Sequence, residues 1–125
     1  MSKYHSKKIT RNGEVFDSIK EYRRHCELQM LQRAGLIADL RRQVTYELIP
    51  AQYVFVPRHS KKTGKQLKDG KRCVEQSVTY IADFVYLDKQ TGQTVVEDTK
   101  GMKTKDYIIK RKLMLYVHGI EISEV

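Results

Sequence analysis

CVEQSVTYIADFVYLDKQTGQTVVEDTK, residues 73–100, sets the architecture of the chain. Its first half, Cys73 to Leu87, is dominated by Val, Ile, Thr, Tyr and Phe, the composition of a long strand. Asp88-Lys89-Gln90-Thr91-Gly92-Gln93 reads as a turn, and Thr94 to Lys100 returns as the partner strand. With Gln90 and Thr91 at the middle of the turn, residues whose numbers sum to 181 face each other across an antiparallel hairpin. Asp83 then stands opposite Asp98, with Cβ atoms ~5 Å apart. Lys100, two residues on, projects from the same face as Asp98, whereas Glu97 points to the other face. A slip of one residue would exchange the roles of Glu97 and Asp98.

On the N-terminal side, Ser18 to Ala34 has the marks of a helix. Ser18 is the cap, Ile19, Tyr22, Cys26 and Met30 form an apolar stripe, and Gly35 is the stop. Leu28 and Leu31 project from another side. Gln43 to Ile49 and Tyr53 to Val56 read as strands, and Arg58 to Arg72, basic and almost without apolar residues, reads as an exposed loop. The first dozen residues, rich in Lys, Ser and His, are expected to be a flexible basic arm, with one domain from residue 13 to 125.

On the C-terminal side, Thr104 caps a second helix whose Ile109, Leu113, Tyr116 and Val117 share one face, and Gly119 ends it. Ile120 to Val125 forms a short last strand, parallel to Thr94–Lys100 through a βαβ crossover. The expected fold class is α/β, a mixed sheet with an antiparallel hairpin and a crossover, flanked by helices in the order α-β-β-β-β-α-β.

The 125 residues allow one core, and 40% hydrophobic with 31% charged residues describes a globular chain. No stretch approaches the ~20 apolar residues of a membrane span. The polar start, Met1-Ser2-Lys3-Tyr4-His5, does not resemble a secretory signal, so a cytoplasmic location and no membrane partner are expected. Cys26 and Cys73 lie far apart without metal-ligand spacing and are expected to be ordinary buried or half-buried thiols. His5, His25, His59 and His118 are scattered and read as surface or capping residues. The net charge of +9 makes phosphate-bearing partners the leading class.

Two carboxylates and an ammonium on one face suit hard-cation chemistry. Asp83 and Asp98 can hold Mg²⁺ while Lys100 orients or activates a water beside a bound phosphate. From spacing alone, a solvated sheet face with Lys100 as a surface ion-pair partner stays open. Ser18 and Glu21 have the S-x-x-E spacing of a capping box.

Asp83 followed by Asp98-Thr99-Lys100 resembles the signature of the PD-(D/E)xK nuclease superfamily, which has the restriction-endonuclease-like fold. Phe16-Asp17-Ser18-Ile19-Lys20-Glu21, Leu31-Gln32-Arg33-Ala34-Gly35 and Leu40-Arg41-Arg42-Gln43 resemble a phage-encoded branch of it, catalogued as a domain of unknown function. The layout is also similar to the endonuclease subunit of certain cut-and-paste transposons. The resemblance covers nearly the whole chain, but Ala82 stands where the superfamily's name has proline. It implies that Asp83 and Asp98 ligate Mg²⁺, with Mn²⁺ as a substitute, that Glu21 approaches the metal, and that Lys100 serves the attacking water. Thr99 would ligate through its backbone carbonyl, and Gln43 would lie near the site.

The function expected is therefore metal-dependent hydrolysis of DNA, structure-guided rather than sequence-reading, on branched or Holliday-junction DNA in phage recombination, replication or packaging. Lys103, Lys105, Lys110, Arg111 and Lys112, read as part of the second helix, and Arg58, Lys61, Lys62 and Lys65 in the loop are the candidate DNA contacts. A homodimer would suit cutting both strands. The rival readings are a non-catalytic DNA-binding protein with the same fold, and an adaptor that binds an acidic partner.

Overall fold

The computed structural model describes residues 7–125, except for the side chains of residues 67–69. It is mixed α/β. The elements are β1 (Ile9–Arg11), β2 (Glu14–Phe16), α1 (Ile19–Arg33), β3 (Ile37–Ile49), β4 (Gln52–His59), β5 (Gln66–Glu75), β6 (Val78–Asp88), β7 (Thr94–Asp98), α2 (Lys105–His118) and β8 (Ser123–Glu124). The chain divides into two compact units, one of residues up to Tyr46 together with Tyr80–Val125, the other Glu47–Thr79.

The first unit is organised by the sheet β3-β6-β7-β8. β6 and β7 are antiparallel with Phe84 opposite Glu97, Val85 opposite Val96, Tyr86 opposite Val95 and Leu87 opposite Thr94, so every pair sums to 181 as the symmetric turn requires. β8 lies parallel to β7 after α2, as a crossover demands, although it is confined to Ser123–Glu124. The Val125 N–H extends this pairing by donating to the Asp98 carbonyl at 3.0 Å.

Each helix is delimited by the residues that its sequence offers for that purpose. Ser18 is extended at φ −160°, and its Oγ accepts from the Glu21 N–H at 3.1 Å. At the other end Gly35, at φ +80°, lets its own N–H reach the Gln32 carbonyl and the Leu36 N–H reach that of Leu31, both at 3.0 Å. Thr104 caps α2 in the same way as Ser18 caps α1, through the Tyr107 N–H at 3.1 Å.

The faces of the helices differ from the expected stripes. In α1 the buried residues are Glu21, His25 and Leu28, spaced four and three apart on one side, while Ile19 and Met30 of the expected stripe are exposed. In α2 the buried residues are Tyr107 and Met114, and Ile109, Tyr116 and Val117 face solvent. Apolar content alone therefore selected the wrong side of both helices. Leu28 joins Ile37, Phe84 and Tyr86 in a core cluster that Leu31, Leu40 and Val95 flank. Val85 and Val96, which alternate with these on the sheet, are buried as well, so both faces of the central hairpin are covered.

His25, expected at the surface, lies between aromatic rings, 5.3 Å from the Phe16 centroid and stacked 5.9 Å from that of Phe84. Burial lowers its pKa from 6.5, the Arg42 charge adds to this, and Glu14 opposes it. A depressed imidazole pKa means that the folded state resists protonation. Stability should be undiminished above pH 6.5 and decline as the pH falls from there through the folded-state value. His25→Phe should flatten that acid limb in urea titrations at a series of pH values. An unchanged pH profile would remove His25 as its source.

Three further segments correct the sequence reading. Ile9–Arg11, inside the expected arm, pairs with Glu14–Phe16 through an Asn12-Gly13 turn whose two residues both have positive φ, the signature of a tight type I′ hairpin. The earlier part of the arm, residues 1–6, lies outside the described residues. The expected loop Arg58–Arg72 is largely strand, since β4 runs on through Pro57 to His59 and β5 begins at Gln66. The strand expected from Cys73 to Leu87 is divided into β5 and β6 at Gln76-Ser77. Cys73 is exposed and Cys26 half-buried, both as free thiols. Among the described residues no helix is long and apolar enough to cross a membrane.

Candidate active site

The β6–β7 ladder ends at Phe84 and Glu97, and one step beyond it lie Asp83 and Asp98. There the two strands exchange side-chain bonds instead. Asp83 Oδ2 accepts from the Thr99 N–H at 2.9 Å and from Thr99 Oγ1 at 2.8 Å, which fixes its carboxylate against the end of β7. Asp98 is 1% exposed. Its Oδ2 accepts from the Tyr80 hydroxyl at 2.5 Å, while Oδ1 is buried and has no hydrogen-bond partner among the described residues. Burial pushes the Asp98 carboxyl above the usual carboxylate range, and the Asp83 charge adds to this, whereas the Tyr80 hydrogen bond and the Lys100 charge oppose it.

Glu21 arrives from the first turn of α1 and is also 1% exposed. Both readings of this residue hold together. Its Oε2 accepts from the Asp17 N–H at 2.8 Å, closing the helix start as a capping glutamate does, and its Oε1 accepts from Gln43 Nε2 at 3.0 Å. Arg42 Nη2 lies 3.5 Å from the same Oε1. Burial raises the Glu21 pKa, the Asp17 N–H works against that rise, and the Asp83 charge reinforces it.

Gln43 holds φ +54° in the middle of β3, an uncommon conformation for a residue with a side chain. Its amide acts through Glu21, which places it behind the acidic cluster.

Carboxylate oxygens of Asp17, Glu21 and Asp83 lie within 4.8 Å of one another. A cleft of about 310 Å³ is lined by these three residues together with Asp98, Thr99 and Lys100. Lys100 is exposed, and its Nζ sits 5.7 Å from the Tyr107 ring centroid. Asp83, Asp98, Thr99, Lys100 and Glu21 are thus brought together in one cleft. Asp17 and Tyr80 were not expected there. The signal for Asp17 was its position next to the cap of the helix that carries Glu21. Tyr80 had none, because its reach to Asp98 depends on how β6 runs past the end of the ladder.

The remaining side of β7 is structural. Glu97 faces away from Asp98, as alternation predicts, and is 1% exposed. It accepts from Arg24 Nε at 2.8 Å and Nη2 at 2.7 Å, and from the Tyr86 hydroxyl.

The candidate DNA contacts fall into two groups. Lys103 precedes α2, and it and Arg111 are held by Glu124 at 3.5 and 3.2 Å. Lys105, Lys110 and Lys112 lie on α2. Arg58, Lys61, Lys62 and Lys65 lie on β4 or in the turn that follows it, within the second unit.

Residues 1–121 match the family model described as protein of unknown function, DUF1064. The chain belongs to the DUF1064 family. Comparisons with curated proteins and with solved structures gave no match. The DUF1064 match spans every residue of the cleft described above, from Asp17 to Lys100.

The donor set suits a hard divalent cation. Among the described residues it consists of carboxylate oxygens without thiols or imidazoles, the donor type of hard rather than soft cations. Burial penalises the charges on Asp98 and Glu21, and a cation in the cleft would relieve that penalty. Among the described residues Asp98 Oδ1 makes no hydrogen bond of good geometry, although the Lys100 backbone N–H lies near enough to this carboxylate to favour its ionised form.

Proposed function

We propose that this DUF1064 protein is a divalent-metal-dependent endonuclease of the PD-(D/E)xK type that hydrolyses phosphodiester bonds in DNA. The observation that carries the reading is the convergence of the Asp17, Glu21 and Asp83 carboxylates with the buried Asp98 and with Lys100 on one cleft. Asp83 and Asp98 would hold Mg²⁺, with Glu21 beside them and the Thr99 carbonyl as the ligand that the resemblance implies. When bound, the ion polarises the scissile phosphate and offsets the charge that develops on it.

The chain's own groups supply the rest. Tyr80 donates to Asp98 Oδ2 and so turns Oδ1 toward its task, the role that outer hydrogen bonds commonly play at metal sites. The Thr99 N–H and hydroxyl do the same for Asp83. Lys100 Nζ orients the attacking water against the phosphate. Gln43 and Asp17 keep Glu21 in place through its two oxygens. The net charge of +9 draws the polyanion in, and a branched substrate such as a four-way junction fits a backbone-gripping surface better than a sequence-reading one.

The decisive experiment is a cleavage panel of linear, flapped, single-stranded and four-way DNA with Mg²⁺, Mn²⁺ or EDTA. Cutting should require the metal. Asp83→Ala should bind DNA without cutting it, and Lys100→Met should lower the cleavage rate by about 10²–10⁴-fold, the usual contribution of a positioned proton-transfer or water-orienting group. A parent protein that binds every substrate and cuts none with either metal would replace this reading by that of a non-catalytic DNA-binding protein.

A further inference from the structure

The second unit is dominated by β4 and β5, a two-stranded antiparallel ribbon. Residues 52–75 carry seven Lys or Arg against two Asp or Glu. Arg58, Lys61, Lys62, Lys65, Lys71 and Arg72 are all exposed, and among the described side chains none of them is paired with a carboxylate. This contrasts with Lys103 and Arg111, which Glu124 partly neutralises. Exposed charge left unpaired on a narrow ribbon is poor design for self-stabilisation and good design for a polyanion.

The register decides where the charges point. Tyr53 lies opposite Cys73 and Phe55 opposite Lys71, so these four share one face, on which Lys71 Nζ sits 4.0 Å from the Tyr53 ring centroid. Val54 lies opposite Arg72 and Val56 opposite Gly70, on the other face. Arg58 belongs to that second face, since a Cβ built on Gly70 would come within 2.8 Å of Arg58 Cδ. Gly70 thus leaves the groove in which the arginine stem lies. The turn is ordered by Ser60, whose N–H donates to the Lys65 carbonyl and whose carbonyl accepts from the Gly64 N–H, both at 2.8 Å. It presents Lys61, Lys62 and Lys65 at the tip.

Cations therefore occupy both faces and the end of one ribbon. A flat acidic partner would meet only one of these sets at a time, whereas a groove with phosphates along each wall meets all of them. A two-stranded ribbon also fits the width of a duplex major groove, about 12 Å. We infer that the β4–β5 ribbon is a duplex-DNA docking element that inserts into a groove, with Lys61, Lys62 and Lys65 on the phosphates at its tip and Arg58 and Arg72 on a wall. The inference rests on DNA being the partner of the cleft, and it assigns the ribbon to duplex rather than single-stranded segments.

The test is anisotropy titration of the full chain in EDTA with a fluorescent duplex and with the matching single strand, at several salt concentrations. Removing three phosphate contacts should make the slope of log K against log salt shallower by about 2.7, at about 0.9 per contact. The Lys61→Ala/Lys62→Ala/Lys65→Ala protein should show that change and bind duplex roughly five-hundredfold more weakly at 0.1 M salt. Arg58→Ala/Arg72→Ala should shift the slope in the same direction. These side chains are exposed, so circular dichroism should report an unchanged fold.

An unaltered slope in both variants would overturn the inference, as would equal parent affinity for duplex and single strand. Ribbon-dependent binding without cutting in Mg²⁺ would sink the nuclease reading and leave the ribbon standing. Cutting with a ribbon-independent slope would do the reverse.

Discussion

An Asp98→Asn protein is expected to lose DNA cleavage by at least about a thousandfold, roughly 4 kcal/mol of transition-state stabilisation, and yet to unfold at a higher temperature than the metal-free parent. Both effects come from one atom. Asp98 is 1% exposed, its Oδ1 has no hydrogen bond among the described residues, and burial with the nearby Asp83 charge disfavours its ionised form more than the Tyr80 hydrogen bond and Lys100 favour it. An amide of the same shape removes that charge while its oxygen still accepts from Tyr80. The fold gains what the ligand set loses, the trade expected where a site is held against its own stability. Cleavage assays and thermal melts without and with Mg²⁺ read the two effects separately. The metal should stabilise the parent and leave the variant almost unmoved, because only a species that binds the folded state shifts its melting temperature. A variant that still cuts, or that melts lower than the parent without metal, would make Asp98 a structural residue.

Arg24→Ala carries the largest expected effect on stability. Glu97 is 1% exposed and takes two guanidinium bonds from Arg24, while Tyr86 donates a third. Removing the cation strands a carboxylate on the packed face of the sheet, which typically costs about 3–5 kcal/mol. For a chain of this length that is a fall in melting temperature of roughly 10 °C or more. The penalty belongs to the orphaned charge and not to the lost contact, so Arg24→Leu combined with Glu97→Leu should recover much of it. Denaturant titrations of the single and double variants separate the two accounts. A double variant no more stable than Arg24→Ala would show that the pair itself, with Tyr86, is what the sheet needs.

The central hairpin was legible because its physics is local. Strand composition, a turn and the alternation of side chains placed Asp83 beside the end of β7 and set Glu97 and Asp98 on opposite faces, as found. The helix faces were not legible for a reason that the site itself supplies. α1 turns Glu21 and His25 inward, one toward the acidic cluster and one between Phe16 and Phe84, so its polar residues mark the buried side and Ile19 and Met30 mark the wet one. The Arg58–Arg72 part of the β4–β5 ribbon was taken for a loop because strands exposed on both faces lack the apolar alternation by which a strand is usually known. Tyr80 escaped because its role depends on where the Asp98 carboxylate ends up, and no spacing along the chain encodes that, whereas Gln43 was named through the resemblance and its contact with Glu21 came only with the structure.

β7 places two successive carboxylates back to back, each anchored from a different side, Glu97 by Arg24 and Asp98 by Tyr80. The strand is therefore pinned like a key between two wards. Because these anchors hold the strand independently of its turn, an added residue in the exposed Asp88–Gln93 connection should be absorbed there and leave the facing of Glu97 and Asp98 unchanged. The Arg24–Glu97 clasp, on the face away from the acidic cleft, thus helps set where the Asp98 carboxylate comes to rest.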